Sequence, residues 1–124
     1  MGASSSKHEA VAMRQYEIWW AALNEPIGRR PVLLLSRDAA YAFLSNVLIA
    51  EITTTVRRIP QEMALGRRDG LPTKCVVNFD NLHSIQKSAL ASRIGELSRA
   101  RIGDVKRAVG SALGWPELVL QSRD

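Results

Sequence analysis

The sequence predicts an α+β domain: a small, mostly antiparallel β-barrel with short helices outside it and an amphipathic helix at the C-terminal end. Three observations carry that expectation. Runs rich in β-branched and aromatic residues, punctuated by Gly, Pro, Asn and Asp, fill the first two-thirds of the chain. The last quarter changes to a period of three to four, the spacing of one helix face. A chain of 124 residues, 46 % of them hydrophobic, suffices for one core and is too short for two. The expected limits are a tail over residues 1–12, a single domain over 13–115 and a short tail over 116–124.

Taken in order, Met1–Ala12 is Ser-rich and reads as a tail, or an engineered remnant, before a second possible start at Met13. Its first six residues fit an N-terminal acylation pattern only formally, and His8 receives no site assignment. Gln15–Leu23 carries Tyr16, Ile18, Trp19 and Trp20 without a breaker and is expected to be a strand. Its adjacent tryptophans face opposite sides, one toward the core and the other under a neighbouring element or in a dimer interface. Pro26 and Gly28 supply a turn that ends on Arg29-Arg30. Pro31–Ser36 reads as a buried strand, because Val32-Leu33-Leu34-Leu35 leaves no polar face. Asp38 is expected to cap a short helix, Ala39–Leu44, closed by Ser45-Asn46. Val47–Thr55 is the next strand, and Gln61–Leu65 another. Two basic loops follow them, one around Arg57-Arg58 and one around Arg67-Arg68. Lys74–Phe79 is a strand, followed by a turn at Asp80-Asn81 and a short run, Leu82–Ile85. Ser98 is placed to cap the last helix, whose apolar face is Ile102, Val105, Val109 and Leu113. Gly114 and Pro116 end it. Gly103 and Gly110 inside it cost about 1 kcal/mol each against alanine, so it depends on tertiary packing.

Charge narrows the partners. A net charge of +5 and a pI near 10.0 point to an anion: nucleic acid, an acidic protein segment or a membrane surface. The one cysteine, Cys75, excludes an intramolecular disulfide and a multi-cysteine zinc site, and its apolar run marks a core thiol. No apolar run is long enough to span a bilayer, and no secretory leader is read, so the expected compartment is reducing and cytoplasmic. Two histidines without a His-x-x-x-His pair give no metal site, and no glycine-rich phosphate loop is present, so no metal or cofactor is expected.

What remains is a set of polar residues at strand ends and loops: Arg29, Arg30, Thr53, Thr54, Thr55 and Asp80, with Arg57, Arg58, Arg67 and Arg68. An arginine at a rigid strand start binds phosphate through parallel N–H bonds and stabilises charge growing there. Such a set needs no metal to cleave RNA, because the 2′-hydroxyl is the nucleophile and a base has only to remove its proton. The other reading is that the arginines are solvated and the threonines ordinary β-formers. Spacing alone leaves both open.

A resemblance separates them. Tyr16-Glu17-Ile18-Trp19-Trp20 followed by Gly28-Arg29-Arg30-Pro31-Val32-Leu33-Leu34-Leu35-Ser36 resembles the opening strands of the MazF/PemK family of toxin endoribonucleases. Ile52-Thr53-Thr54 is similar to that family's second strand-end motif. Gly70-Leu71 and then Cys75–Ile85 resemble its segment around an Asp-Gln-Ile run, and Arg93-Ile94-Gly95-Glu96-Leu97 its approach to the last helix. Each motif is weak alone; together, in order over Arg14 to Trp115, they are specific. The resemblance implies an SH3-like barrel, a homodimer and metal-independent cleavage of single-stranded RNA to 2′,3′-cyclic phosphate and 5′-hydroxyl ends. It implies Arg30 as the main catalytic residue, Thr53 beside it at the phosphate, and Asn78 and Asp80 along the RNA groove. An acidic antitoxin segment is the implied inhibitor.

This chain departs from the family in its first loop, which is several residues shorter. Glu25, three residues before Gly28, matches the glutamate that has been cast as general base, but it also matches an acidic-Pro pair that precedes the longer loop. Two other functions stay open at this point. One is a same-fold gyrase poison, which the nine residues after Trp115 argue against; the other is a barrel that binds RNA without cutting it.

Overall fold

A computed structural model of the protein describes residues 13–121. The expected N-terminal tail, with His8 and the acylation pattern, lies outside those residues, as do the last three positions. Six strands form one antiparallel sheet: β1 (Glu17–Ala22), β2 (Arg29–Leu34), β3 (Asn46–Thr53), β4 (Glu62–Leu65), β5 (Cys75–Gln86) and β6 (Leu90–Glu96). Their spatial order is β4-β5-β3-β2-β1-β6, and every neighbouring pair is antiparallel. A one-turn helix, α1 (Ala40–Phe43), precedes β3; α2 (Ile102–Leu113) and α3 (Pro116–Gln121) follow β6.

Strand alternation divides the core in two. Ile18, Leu33, Ala50, Ile52, Val77 and Phe79 pack with Val105 and Ala108 of α2 on one face of the sheet. Trp19, Ala21, Val32, Leu34, Val47 and Ile49 pack with Met13 and Tyr41 on the other. Trp19 is therefore the core tryptophan, and Trp20 is half-buried on the opposite face. Residue by residue, α2 turns Val105 and Ala108 inward but leaves Leu113 45 % exposed, so the buried face ends one turn short of the predicted one.

The sheet curls without joining its edge strands, β4 and β6, by ladder hydrogen bonds. The gap is spanned by backbone contact instead. A 3₁₀ turn, Arg67–Asp69, follows β4 and lies against β6 so closely that a Cβ on Gly95 would stand 2.6 Å from the Asp69 carbonyl oxygen. From the other side, Gly70 (φ 92°) would bring a Cβ within 2.8 Å of the Ile94 carbonyl oxygen. Only glycine at both positions permits that approach.

Several expected boundaries shift. Arg29 and Arg30 belong to β2 rather than to the preceding loop, because their backbone continues the ladder opposite Ala22 and Ala21. β5 runs unbroken through Asp80-Asn81, where a turn was expected. β3 moves one residue, from Ala50 to Glu51, while its partner on β5 moves from Leu82 to Asn78, so these turn-prone residues build a bulge. Asp38 does not cap α1. Its carboxylate accepts the Gln15 backbone N–H at 2.8 Å, and no side chain caps that helix. Ser98 likewise precedes a 3₁₀ turn, Arg99–Arg101, without a side-chain cap. Residues 116–121, expected as tail, form α3, which packs on α2 at Gly110.

Candidate active site

The site is built where β2 begins and β3 ends. Val32 pairs with Glu51, and continuing that antiparallel register by two residues sets Arg30 across from Thr53. Arg30, Glu51 and Thr53 lie on the same sheet face as Val32 and Ile49, both fully buried. A charged side chain at the end of such a strand has little freedom to move. Arg30, Thr53 and Thr54 open into one cavity of about 230 Å³, with Trp20 and Pro31 on one wall and Leu71-Pro72-Thr73 on the other. Thr53 Oγ1 accepts the Thr55 backbone N–H at 3.1 Å, which orients the hydroxyl and leaves its proton as a donor.

Glu51 holds the arginine. Arg30 Nη1 donates to Glu51 Oε1 at 2.8 Å, and the other carboxylate oxygen, Oε2, meets His83 Nε2. Glu51 is buried and its two partners are about a third exposed, so one sunken carboxylate carries two groups that reach the surface. Removing one partner of a buried ion pair costs about 3–5 kcal/mol in fully buried cases, less here because Arg30 is partly solvated. Neither Glu51 nor His83 is among the site residues that the sequence points to. The one sequence signal for the pair is a glutamate inside the otherwise apolar run Val47–Ile52, where a charge is unstable without a partner.

The remaining predicted residues divide by position. Arg29 lies over the Trp20 ring, 4.6 Å from its centroid, and stiffens the cavity wall by a cation–π contact of roughly 0.5–1 kcal/mol. Arg67 lines a wider cavity of about 730 Å³, shared with Lys74, that adjoins the first through Pro72, Thr73 and Cys75. Arg57 and Arg58 are exposed on the β3–β4 loop, where their backbone N–H groups donate to Glu62 at 3.0 Å. Arg68 faces another hollow, beside Arg99 and Arg101, and is not brought to the Arg30 cavity. Asn78 is buried and accepts the Asp80 backbone N–H at 2.9 Å, shaping the bulge, while Asp80 itself is exposed. Glu25 is exposed on the tight β1–β2 loop and takes no part in the ion pairs around Arg30. Among the described residues, no group of three or more His, Cys, Asp or Glu is arranged to hold a metal ion. Burial, with Asp69 nearby, pushes the Cys75 thiol above its ordinary range, in keeping with a core residue.

Residues 14–113 match the family described as PemK-like, MazF-like toxin of type II toxin–antitoxin system. The chain belongs to this family. It is 41 % identical over 98 residues to the probable endoribonuclease MazF5 of Mycobacterium tuberculosis, covering 78 % of this chain and 85 % of that one. Among solved structures it is similar to the Mycobacterium tuberculosis toxin MazF-mt6, with a TM-score of 0.75 and 35 % identity over 79 % of this chain and 96 % of that chain. It is also similar to an endoribonuclease in complex with its cognate antitoxin from a mycobacterial species, with a TM-score of 0.74 and 30 % identity, covering 85 % and 98 %. The curled six-stranded sheet with a C-terminal helix is thus the MazF fold, and the resemblance read from five short motifs holds across the domain. No helix of this MazF-family chain, among the described residues, is long and apolar enough to cross a membrane.

Proposed function

We propose that this protein is the toxin of a type II toxin–antitoxin pair and a metal-independent endoribonuclease of single-stranded RNA. The observation that supports this reading best is the convergence of Arg30 and Thr53 on one cavity, with Arg30 held by a buried carboxylate. A phosphodiester seated there receives the outward N–H donors of Arg30 and the Thr53 hydroxyl. Both stabilise the negative charge that grows on the phosphoryl oxygens as the 2′-oxygen attacks. The products are a 2′,3′-cyclic phosphate and a 5′-hydroxyl, and water enters neither bond change. Arg29 and Arg67 extend the basic surface beside Thr54, and Arg57, Arg58 and Asp80 border the path of the strand; Asn78 supports that border from beneath, and Arg68 lies outside the path. The protein acts in the cytoplasm as a homodimer. Its inhibitor is a cognate antitoxin whose acidic segment competes for the same basic groove; a related endoribonuclease has been solved with its cognate antitoxin.

The test is incubation of the purified protein with single-stranded RNA in excess EDTA. Cleavage to 5′-hydroxyl ends is the expected result. Loss of one charge-stabilising donor typically lowers turnover about 10²–10³-fold, and Arg30→Ala is expected in that range. Arg30→Lys is expected to lose much of the activity as well, since an ammonium cannot make the planar two-pronged contact. Intact RNA, or equal rates for Arg30→Ala, refutes the proposal. Salt-sensitive RNA binding without new ends would leave a binding barrel in its place.

A further inference from the structure

We propose that His83 is the general base of the RNA-cleavage reaction, with Glu51 as the residue that positions it; this inference rests on the endoribonuclease reading above. The bulge in β5 is what makes the assignment possible. After it, His83 pairs with Ile49 across the β3–β5 ladder, so its side chain emerges on the face that carries Glu51 two residues further along β3. His83 Nε2 meets Glu51 Oε2, and Arg30 Nη1 donates to Glu51 Oε1. The imidazole and the phosphate-binding guanidinium are therefore linked by a single carboxylate, which is itself buried while both its partners reach solvent.

The chemistry follows from that bridge. A carboxylate acceptor at Nε2 fixes the tautomer with the proton on Nε2 and leaves the lone pair on Nδ1, the same logic by which an acidic residue orients a histidine base in hydrolases. In RNA the 2′-hydroxyl adjoins the scissile phosphate. Neither Glu51 nor His83 lines the Arg30 cavity, so a phosphate gripped by Arg30 is tied to the imidazole through the shared carboxylate, and its 2′-hydroxyl meets Nδ1 at the cavity's edge. Nδ1 takes the 2′-hydroxyl proton. The freed electron pair forms the 2′-O–P bond, the P–O5′ bond breaks with its electrons going to the 5′-oxygen, and the proton passes from the imidazolium, through solvent, to that oxygen. The reaction is a transesterification, so no further reactant is needed. Glu25, the base the family resemblance offers, sits on the exposed β1–β2 loop and has no such link to Arg30.

The deciding experiment compares wild type, His83→Gln, His83→Ala and Arg30→Ala in single-turnover cleavage, alongside affinity for an RNA with a 2′-deoxy scissile residue. His83→Gln keeps an N–H donor for Glu51 but has no proton-accepting nitrogen. The expected result is a loss of about 10²–10⁴-fold in rate for both His83 variants, with RNA affinity little changed. Added imidazole should restore His83→Ala and leave Arg30→Ala inactive. Near-wild-type cleavage by His83→Gln overturns the inference and leaves the nuclease reading intact. So does a loss in His83→Ala that imidazole cannot restore, since that outcome marks a packing role. Absence of cleavage by wild type removes the reading and the inference together.

Discussion

Glu17→Ala is the substitution whose cost can be worked most directly from contacts. The Glu17 side chain is buried and accepts three donors: Trp19 Nε1 at 3.0 Å, the Arg14 backbone N–H at 3.0 Å and Arg93 Nε at 2.9 Å. Alanine removes all three hydrogen bonds at once, but the consequences differ. Arg14 is exposed, so water replaces the lost acceptor at little cost. The Arg93 side chain is 44 % exposed, and its ion pair with Glu17 is worth no more than about 1 kcal/mol after solvent screening. Trp19 is the large contribution. It belongs to the buried core, and stranding its indole N–H costs about 1–3 kcal/mol. The expected total is about 1–4 kcal/mol, with Glu17→Gln milder because an amide oxygen still accepts the indole proton. The assay is urea unfolding at one fixed protein concentration, read as a fall in midpoint at unchanged slope. In a double-mutant cycle with Trp19→Phe, the two sites should couple by about 1 kcal/mol or more. Glu17→Ala within about 0.5 kcal/mol of wild type, or simple additivity with Trp19→Phe, would refute the reasoning.

Other expectations follow from the same contacts. In Gly110→Ala the new Cβ would stand 2.8 Å from the Leu118 Cβ, so crowding at the α2–α3 contact should outweigh the gain of about 1 kcal/mol in helix propensity and lower the melting temperature; a higher one refutes this. Burial raises the Tyr16 phenol above its ordinary value, and burial with Asp38 and Glu17 raises that of Tyr41, as burial with Asp69 does for the Cys75 thiol. Their stabilising contribution is complete below the unfolded values of about 8.5 for the thiol and 10 for the phenols, and is lost as pH climbs past them. Unfolding midpoints should therefore fall above about pH 9, and a rise from pH 8 to 10 contradicts the assignment. Native Cys75 should resist iodoacetamide at neutral pH and label only on unfolding, read by intact mass. RNA affinity should drop steeply with added salt, with a shallower slope for Arg67→Ala than for wild type.

How far the sequence could be read depended on burial. β1, β2 and β4 carry enough apolar side chains for their type to be evident, and α2 announces itself through its helical spacing. β6 does not read as a strand from sequence because Leu90–Glu96 is an edge strand in which Leu90 alone is buried, so it shows no alternation. β5 reads as two segments because Asp80-Asn81 is equally good chemistry for a turn and for a bulge. The same ambiguity hid half of the candidate site. Arg30 and Thr53 were legible as strand-end residues of suitable chemistry. Glu51 and His83, thirty-two positions apart, become neighbours only through the register that follows the bulge. Sequence spacing carries no trace of a register set by another strand.

The glycine contact between the Arg67–Asp69 turn and β6 sets how the domain can breathe. Ladder hydrogen bonds tie every other strand boundary, whereas this seam rests on carbonyl oxygens touching Gly70 and Gly95. Parting it breaks no strand pairing, so it opens at lower cost than any strand boundary of the sheet. The chain that leaves this seam runs directly into Leu71-Pro72-Thr73, one wall of the Arg30 cavity. Parting the seam would shift Pro72 and Thr73 of that wall, hinged at the buried Leu71, while Arg30, Thr53 and Glu51 stay fixed on β2 and β3. Amide exchange at Gly70 and Leu71 that outpaces exchange on β2 and β3 would be its signature.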